Sequence, residues 1–221
     1  MKKLLALLLV GIMLCGLCGC LGDENVRGEV NAPDKTESEN TESEEFSLGE
    51  TLNNSYKNKF LGLSCTLPEE WVFYTDKQIL ELNNIVTDSV GEEVKEMLEN
   101  ATIIYDMYAT NPNNGSSINV NLEKISLVQS ATLDLKQTLE AQFPALKSGL
   151  ENMGYTDVVA EYAKIKVDGK EFDGAKVSGK IQGVDFYETV FTLKKGVYLA
   201  NVTIATFSSD ADTILSYFSV E

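Results

Sequence analysis

The amino-acid sequence predicts an α+β domain, a mostly antiparallel sheet with helices packed on it. Three observations lead there. Apolar and polar residues alternate with period two in several runs between residues 117 and 206. Glycine- and asparagine-bearing turns between those runs are too short for anything but antiparallel pairing. Apolar residues at helical spacing come in blocks rather than after every strand, as in α+β rather than α/β domains.

In order along the chain, 56–60 and 63–67 read as short strands meeting around Gly62, and Pro68-Glu-Glu-Trp71 turns the chain out of the second. Thr75-x-x-Gln78 has the form of a capping box, in which each side chain bonds the other's backbone N–H. It opens a helix with Ile79, Leu82 and Val86 on one face. Ser89-x-x-Glu92 opens another, carrying Val90, Val94, Met97 and Leu98. Strands follow at 102–109 and 117–125. In the latter, Ile118, Val120 and Leu122 alternate with Asn119, Asn121 and Glu123, which predicts a half-buried strand, and Asn113-Asn114-Gly115 supplies the turn before it.

Residues 131–153 carry the longest helical pattern, through Leu135, Leu139, Phe143, Leu146, Leu150 and Met153, with Gly154 placed for a left-handed cap. Pro144 lies inside this stretch and is expected to kink it, since it removes a backbone hydrogen bond. Strands near 157–167, 171–182, 184–193 and 197–206 are punctuated by Asp168-Gly169, Gly183 and Lys195-Gly196, and a last helix is expected at 210–218. The expected order is ββ-αα-ββ-α-ββββ-α.

Ahead of this domain, Lys2 and Lys3 precede an uncharged leucine-rich run from Leu4 to Leu14, the pattern of a signal peptide. The run is too short to span a bilayer, which takes about 20 apolar residues. Cys15-Gly-Leu-Cys18 has redox-pair spacing but lies in a segment expected to be removed. Leu17-Cys18-Gly19-Cys20 resembles the bacterial lipobox, which implies cleavage after residue 19 and lipidation of Cys20. Two acyl chains on that thiol hold a protein to a membrane where one does so only marginally. The expected location is the extracytoplasmic face of the bacterial cell membrane, with the membrane a partner through the lipid on Cys20.

The domain boundaries expected are therefore a signal peptide at 1–19, a lipidated and acidic disordered tether at 20–54, and a single domain at 55–221. The chain has 34 acidic and 18 basic residues, and loss of Lys2 and Lys3 makes the mature form more negative still. Such a surface is expected to repel nucleic acid and anionic lipid headgroups. The acids at 23, 24, 29, 34, 37, 39, 42, 44, 45 and 50 face only Arg27 and Lys35 in the tether, and its few apolar residues do not offset the entropy of ordering. Cys65 is the one cysteine of the domain and reads as a small buried hydrophobe.

Chemistry is marked mainly by what is missing. The chain has no histidine, which removes the commonest general base and metal ligand, and the domain has no arginine. Phosphate-binding and dinucleotide-binding glycine motifs are absent too. Asp168-Gly-Lys-Glu171-Phe-Asp173-Gly174 contains acids but not at the alternate positions of a calcium loop. Tyr105, Tyr108, Tyr155, Tyr162, Tyr187 and Tyr198 sit in or beside strands, where an amphipathic, half-buried role is the simpler reading and an aromatic binding surface the other. No catalytic, cofactor or metal residue is expected.

The stretch Tyr56-x-x-x-Phe60-x-Gly62-Leu63-Ser64-x-x-Leu67-Pro68-x-x-Trp71 resembles the opening of PsbP-like domains, and the chain is similar to uncharacterised lipoproteins of Firmicutes-type bacteria. The resemblance implies an αβα sandwich and an accessory rather than enzymatic role, and carries over no functional residue. Together these readings predict a non-catalytic interaction or accessory module acting on an envelope protein, with a small-ligand or glycan binder as the alternative.

Overall fold

The computed structural model describes residues 46–85, 101 and 103–221. The expected signal peptide, Cys20, the acidic stretch as far as Glu45 and the Ser89 helix lie outside the described residues. The strands are β1 (Glu50–Leu52), β2 (Ser55–Asn58), β3 (Leu63–Thr66), β4 (Val72–Phe73), β5 (Ile103–Thr110), β6 (Ser117–Lys124), β7 (Tyr155–Val167), β8 (Lys170–Ile181), β9 (Val184–Lys195), β10 (Tyr198–Thr206) and β11 (Phe218–Val220). The helices are α1 (Asp76–Leu82), α2 (Leu127–Thr132), α3 (Leu135–Asn152) and α4 (Ala211–Leu215).

All pairings are antiparallel and fall into two sheets, a large one in the order β4-β5-β6-β10-β9-β8-β7 and a small one in the order β1-β2-β3-β11. This is the α+β, mostly antiparallel architecture expected. The small sheet and α4 cover one face of the large sheet, where Tyr56, Leu63, Cys65 and Phe218 join Met107, Ile118, Val120, Phe191 and Ile204 in the main core. Phe191 and Phe218 meet edge to face across the layers at 5.7 Å. Helix α3 lies over the opposite face, burying Leu146 and Leu150 against Tyr155, Val177, Phe186 and Val190. On the first face the described residues place the small sheet and two short helices, α1 through Leu80 and α4 through Ile214 and Leu215, rather than the helical layer of an αβα sandwich.

The expected capping box is formed, with Thr75 N–H donating to Gln78 Oε1 at 2.9 Å. The 131–153 pattern resolves into two helices. Ser126 and Gln129 make a second capping box that starts α2, Leu133 turns extended, and Asp134 accepts from the Gln137 N–H to start α3. Helix α3 continues unbroken through Pro144. The last helix is shorter than expected because 218–220 leaves it to pair with β3. A two-residue strand beside β5 and a three-residue strand beside β2 had no alternation long enough to read.

The domain also starts earlier than 55. Phe46 stacks on Tyr198 at 4.5 Å and meets Phe60 edge to face, Leu48 packs on the main core, and β1 pairs with β2. Residues 46–54 therefore belong to the folded unit rather than to a spacer, despite Glu50 and the polar run around it. No helix of the described residues is long and apolar enough to cross a membrane.

Candidate functional site

Strand β6 places Ile118, Val120 and Leu122 in the main core, as its alternation requires. Its other face was expected to be wet, yet Ser117, Asn119, Asn121 and Glu123 are buried as well. Cross-strand register sets Asn119 beside Thr203 and Asn121 beside Asn201 of β10, and Asn201 beside Thr192 of β9. A polar ladder results. The Thr192 hydroxyl donates to Asn201 Oδ1 at 2.8 Å, the Asn201 amide reaches Asn121 Oδ1 at 3.5 Å, and the Asn121 amide donates to Asn119 Oδ1 at 3.2 Å.

The ladder runs between two apolar clusters. On one side are Ile125, Leu139 and Leu199, and on the other Leu146, Leu150, Phe186, Val190 and Ala205. On α3, Gln142 falls three residues after Leu139 and four before Leu146, so helical spacing turns it to the same buried side. Its Oε1 is buried and has no hydrogen-bond partner among the described residues. Thr203 Oγ1 is in the same condition.

Glu188 completes the group. Strand alternation puts it between Phe186 and Val190 on the α3 side, opposite Val177 and Ala205 in register. Both carboxyl oxygens are buried and neither has a partner among the described residues. Burial in these surroundings raises its pKa to about 8, because the charged form loses water and gains nothing in exchange. Its charge in turn raises the pKa of Tyr108 and of Tyr155, in each case after the larger effect of burial. A polar atom buried without a partner costs about 1–3 kcal/mol. Register puts Thr203 beside Asn119 of the ladder and Glu188 two residues along β9 from Val190, the partner of Thr203, so these buried atoms keep hydrogen-bonding capacity that the described residues do not use.

Asp106, another buried carboxyl of the large sheet, shows the contrast. A β-bulge between Tyr105 and Met107 turns it toward the small sheet. There it accepts from the Tyr56 hydroxyl at 2.6 Å, the Asn58 amide at 2.7 Å and the Gly49 N–H at 2.8 Å. Burial raises its pKa, and the three bonds oppose that rise. Asp106 is a structural clamp with its oxygens in use.

The residues singled out in the sequence separate. Cys65 is buried in the main core, and burial pushes its thiol up to about 12, which removes it from nucleophilic chemistry. Trp71 is a core residue. Tyr105, Tyr108 and Tyr155 are buried, while Tyr162, Tyr187 and Tyr198 are half-buried, so the six do not form one surface. Asp168 accepts from the Val220 N–H, whereas Asp173 accepts from Tyr162 at 2.5 Å and Lys164 at 2.7 Å, and the acids of that loop do not converge. Glu188, Asp106, Gln142 and Thr203 carried one available signal: an acid, amide or hydroxyl standing where its strand or helix repeat calls for an apolar residue.

No family model matches the chain, and none of the curated proteins compared with it matches. Among solved structures, a protein of Bacteroides thetaiotaomicron VPI-5482 aligns with a TM-score of 0.39 and 9% identity over 76% of this chain and 48% of its own, so the chain spans about half of that protein's length. LpqN of Mycobacterium tuberculosis, described as involved in cell envelope biogenesis, aligns with a TM-score of 0.35 and 11% identity over 69% of this chain and 75% of its own. At those scores neither likeness transfers fold or function.

Proposed function

We propose that this chain is a lipid-anchored extracytoplasmic binding module without catalysis, which takes a small, uncharged, polar ligand between α3 and the large sheet. The observation that carries the recognition half is the set of buried groups without partners, Glu188, Thr203 and Gln142, beside the Asn119–Asn121–Asn201–Thr192 ladder. A protonated carboxyl donates one hydrogen bond and accepts others, and amide and hydroxyl groups do the same. Such a lining suits a hydroxyl- or amide-bearing molecule, the glycan-type alternative of the sequence reading. Buried amide and hydroxyl groups left without partners discriminate strongly against ligands that cannot pair with them.

The anchor half rests on Leu17-Cys18-Gly19-Cys20 and the segment before it. The likeness of 56–71 to PsbP-like domains supports a contact-making role of accessory kind. A protein partner is the less favoured reading. Among the described residues the large exposed apolar side chains are Leu52, Val72, Leu127, Val128, Val159 and Val184, of which only Leu127 and Val128 are neighbours in sequence. Protein interfaces generally present a patch of several hundred Å².

The test is a thermal-shift screen of the full mature chain against neutral mono- and disaccharides and small amides, repeated with Glu188→Leu and Thr203→Val. A hit that raises the melting temperature of the native chain and not of the variants supports the reading. Hits of equal size on all three place recognition elsewhere.

A further inference from the structure

Register assigns every turn of the large sheet to one of two ends. The β7–β8 turn, the β9–β10 turn and the C-terminal end of β6 share one end, since Val167 faces Lys170, Lys195 faces Tyr198, and Tyr198 faces Lys124. The β2–β3 turn lies there too, because Phe60 meets Tyr198 edge to face at 5.5 Å. This end carries Lys59, Lys124, Lys166, Lys170, Lys194 and Lys195. Its acids include Asp168, engaged by the Val220 N–H, Glu171, and Glu221, paired with Lys57 at 2.9 Å. The opposite end, around the β8–β9 turn, carries Asp157, Asp185 and Asp210, with Lys180 beside Asp157 at 3.9 Å. A chain of formal charge −16 thus concentrates basic side chains at one pole.

Two further features meet at that pole. Helix α2 is held beside the β9–β10 turn, with Ser130 Oγ donating to Gly196 O at 2.7 Å and the Lys194 ammonium donating to Ser130 O. Its first turn leaves Leu127 78% and Val128 75% exposed, beside the lysines. Phe46, the first described residue on the Cys20 side of the chain, also lies here, stacked on Tyr198.

We infer that this pole is a membrane-docking surface: Leu127 and Val128 enter the interface of an anionic bilayer while the surrounding lysines meet its headgroups. Paired aliphatic side chains gain by leaving water, and a basic residue near an anionic surface strengthens partitioning about fivefold. Docking there holds the domain with its acidic pole pointing away from the membrane. The identity of the bilayer as the protein's own anchoring membrane rests on the lipid-anchored reading, and the test removes the anchor so that the two fail separately.

The test uses the chain from residue 20 onward carrying Cys20→Ala, mixed with vesicles of phosphatidylcholine alone or with about a third phosphatidylglycerol, at low salt. An environment-sensitive dye is placed at Val128→Cys or, as control, at Val184→Cys near the acidic pole; buried Cys65 takes no label. The expected result is co-sedimentation with the anionic vesicles only, a blue shift at position 128 and none at 184. Triple reversal Lys166→Glu, Lys170→Glu, Lys194→Glu is expected to weaken binding at least about tenfold, and Lys180→Glu to leave it unchanged. Absence of binding to anionic vesicles, or equal shifts at both dye positions, overturns the proposal. A circular dichroism spectrum matching the parent confirms that each variant is folded. Membrane loss of the lipidated form on Cys20→Ala is a separate readout, of the anchor alone.

Discussion

The Tyr56 hydroxyl donates to Asp106 Oδ2 at 2.6 Å and so joins the small sheet to the bulge of β5. With Asn58 and the Gly49 N–H on the same carboxylate, one buried acid holds β2 and the segment leading into β1. A hydrogen bond to a charged group contributes about 1.5–3 kcal/mol, and removing a donor leaves the acid under-satisfied. Tyr56→Phe is therefore expected to destabilise the domain by about 2 kcal/mol, seen as a lower urea midpoint with unchanged slope. A change below about 0.5 kcal/mol would show that the clamp does not hold the layers together.

Glu188 predicts an opposite dependence on pH from that of ordinary paired carboxylates. Its folded pKa of about 8 lies above the usual 4.5, so between those values the folded state binds more protons than the unfolded one. Stability is then full below about 4.5 and falls as pH rises toward 8, by roughly 1.4 kcal/mol per pH unit at most from this group. Glu188→Gln should flatten that part of the stability curve. Urea melts of both proteins at pH 5, 6, 7 and 8 measure it; parallel curves would mean that Glu188 finds a partner when charged.

Limited proteolysis reads out where the fold begins. Since Phe46 stacks on Tyr198 and Gly49 bonds Asp106, the resistant fragment is expected to start close to Phe46 rather than at 55. Phe46→Ala should move the first stable cut several residues toward the C-terminus. Mass spectrometry of the fragments gives the boundary directly, and a parent fragment starting at 55 would refute this account of the N-terminal segment.

Much of the architecture was legible because local signals agreed with tertiary ones. The period-two runs of β6 through β10 and the Thr75–Gln78 box pointed to the elements that form. What escaped depended on partners distant in sequence. Strand β11 follows a helical pattern and becomes a strand only because β3 offers an edge, and β1 is an acidic segment paired to β2. The candidate site was hidden for a related reason. Asn119 and Asn121 look like the wet side of a strand, and only cross-strand register shows them joined to Asn201 and Thr192 in the interior. Glu188 stood among Phe186 and Val190 as an acid out of pattern, a signal that single-strand reading passes over.

The most direct test of the proposed function is native mass spectrometry of the mature protein extracted from its own membranes in mild detergent. The account predicts a chain beginning at Cys20 with the mass of a diacylglyceryl group attached, carrying a non-covalent small molecule that the Glu188→Leu, Thr203→Val double variant lacks. A polypeptide that begins elsewhere, carries no lipid mass, or shows the same adducts in parent and variant would contradict it.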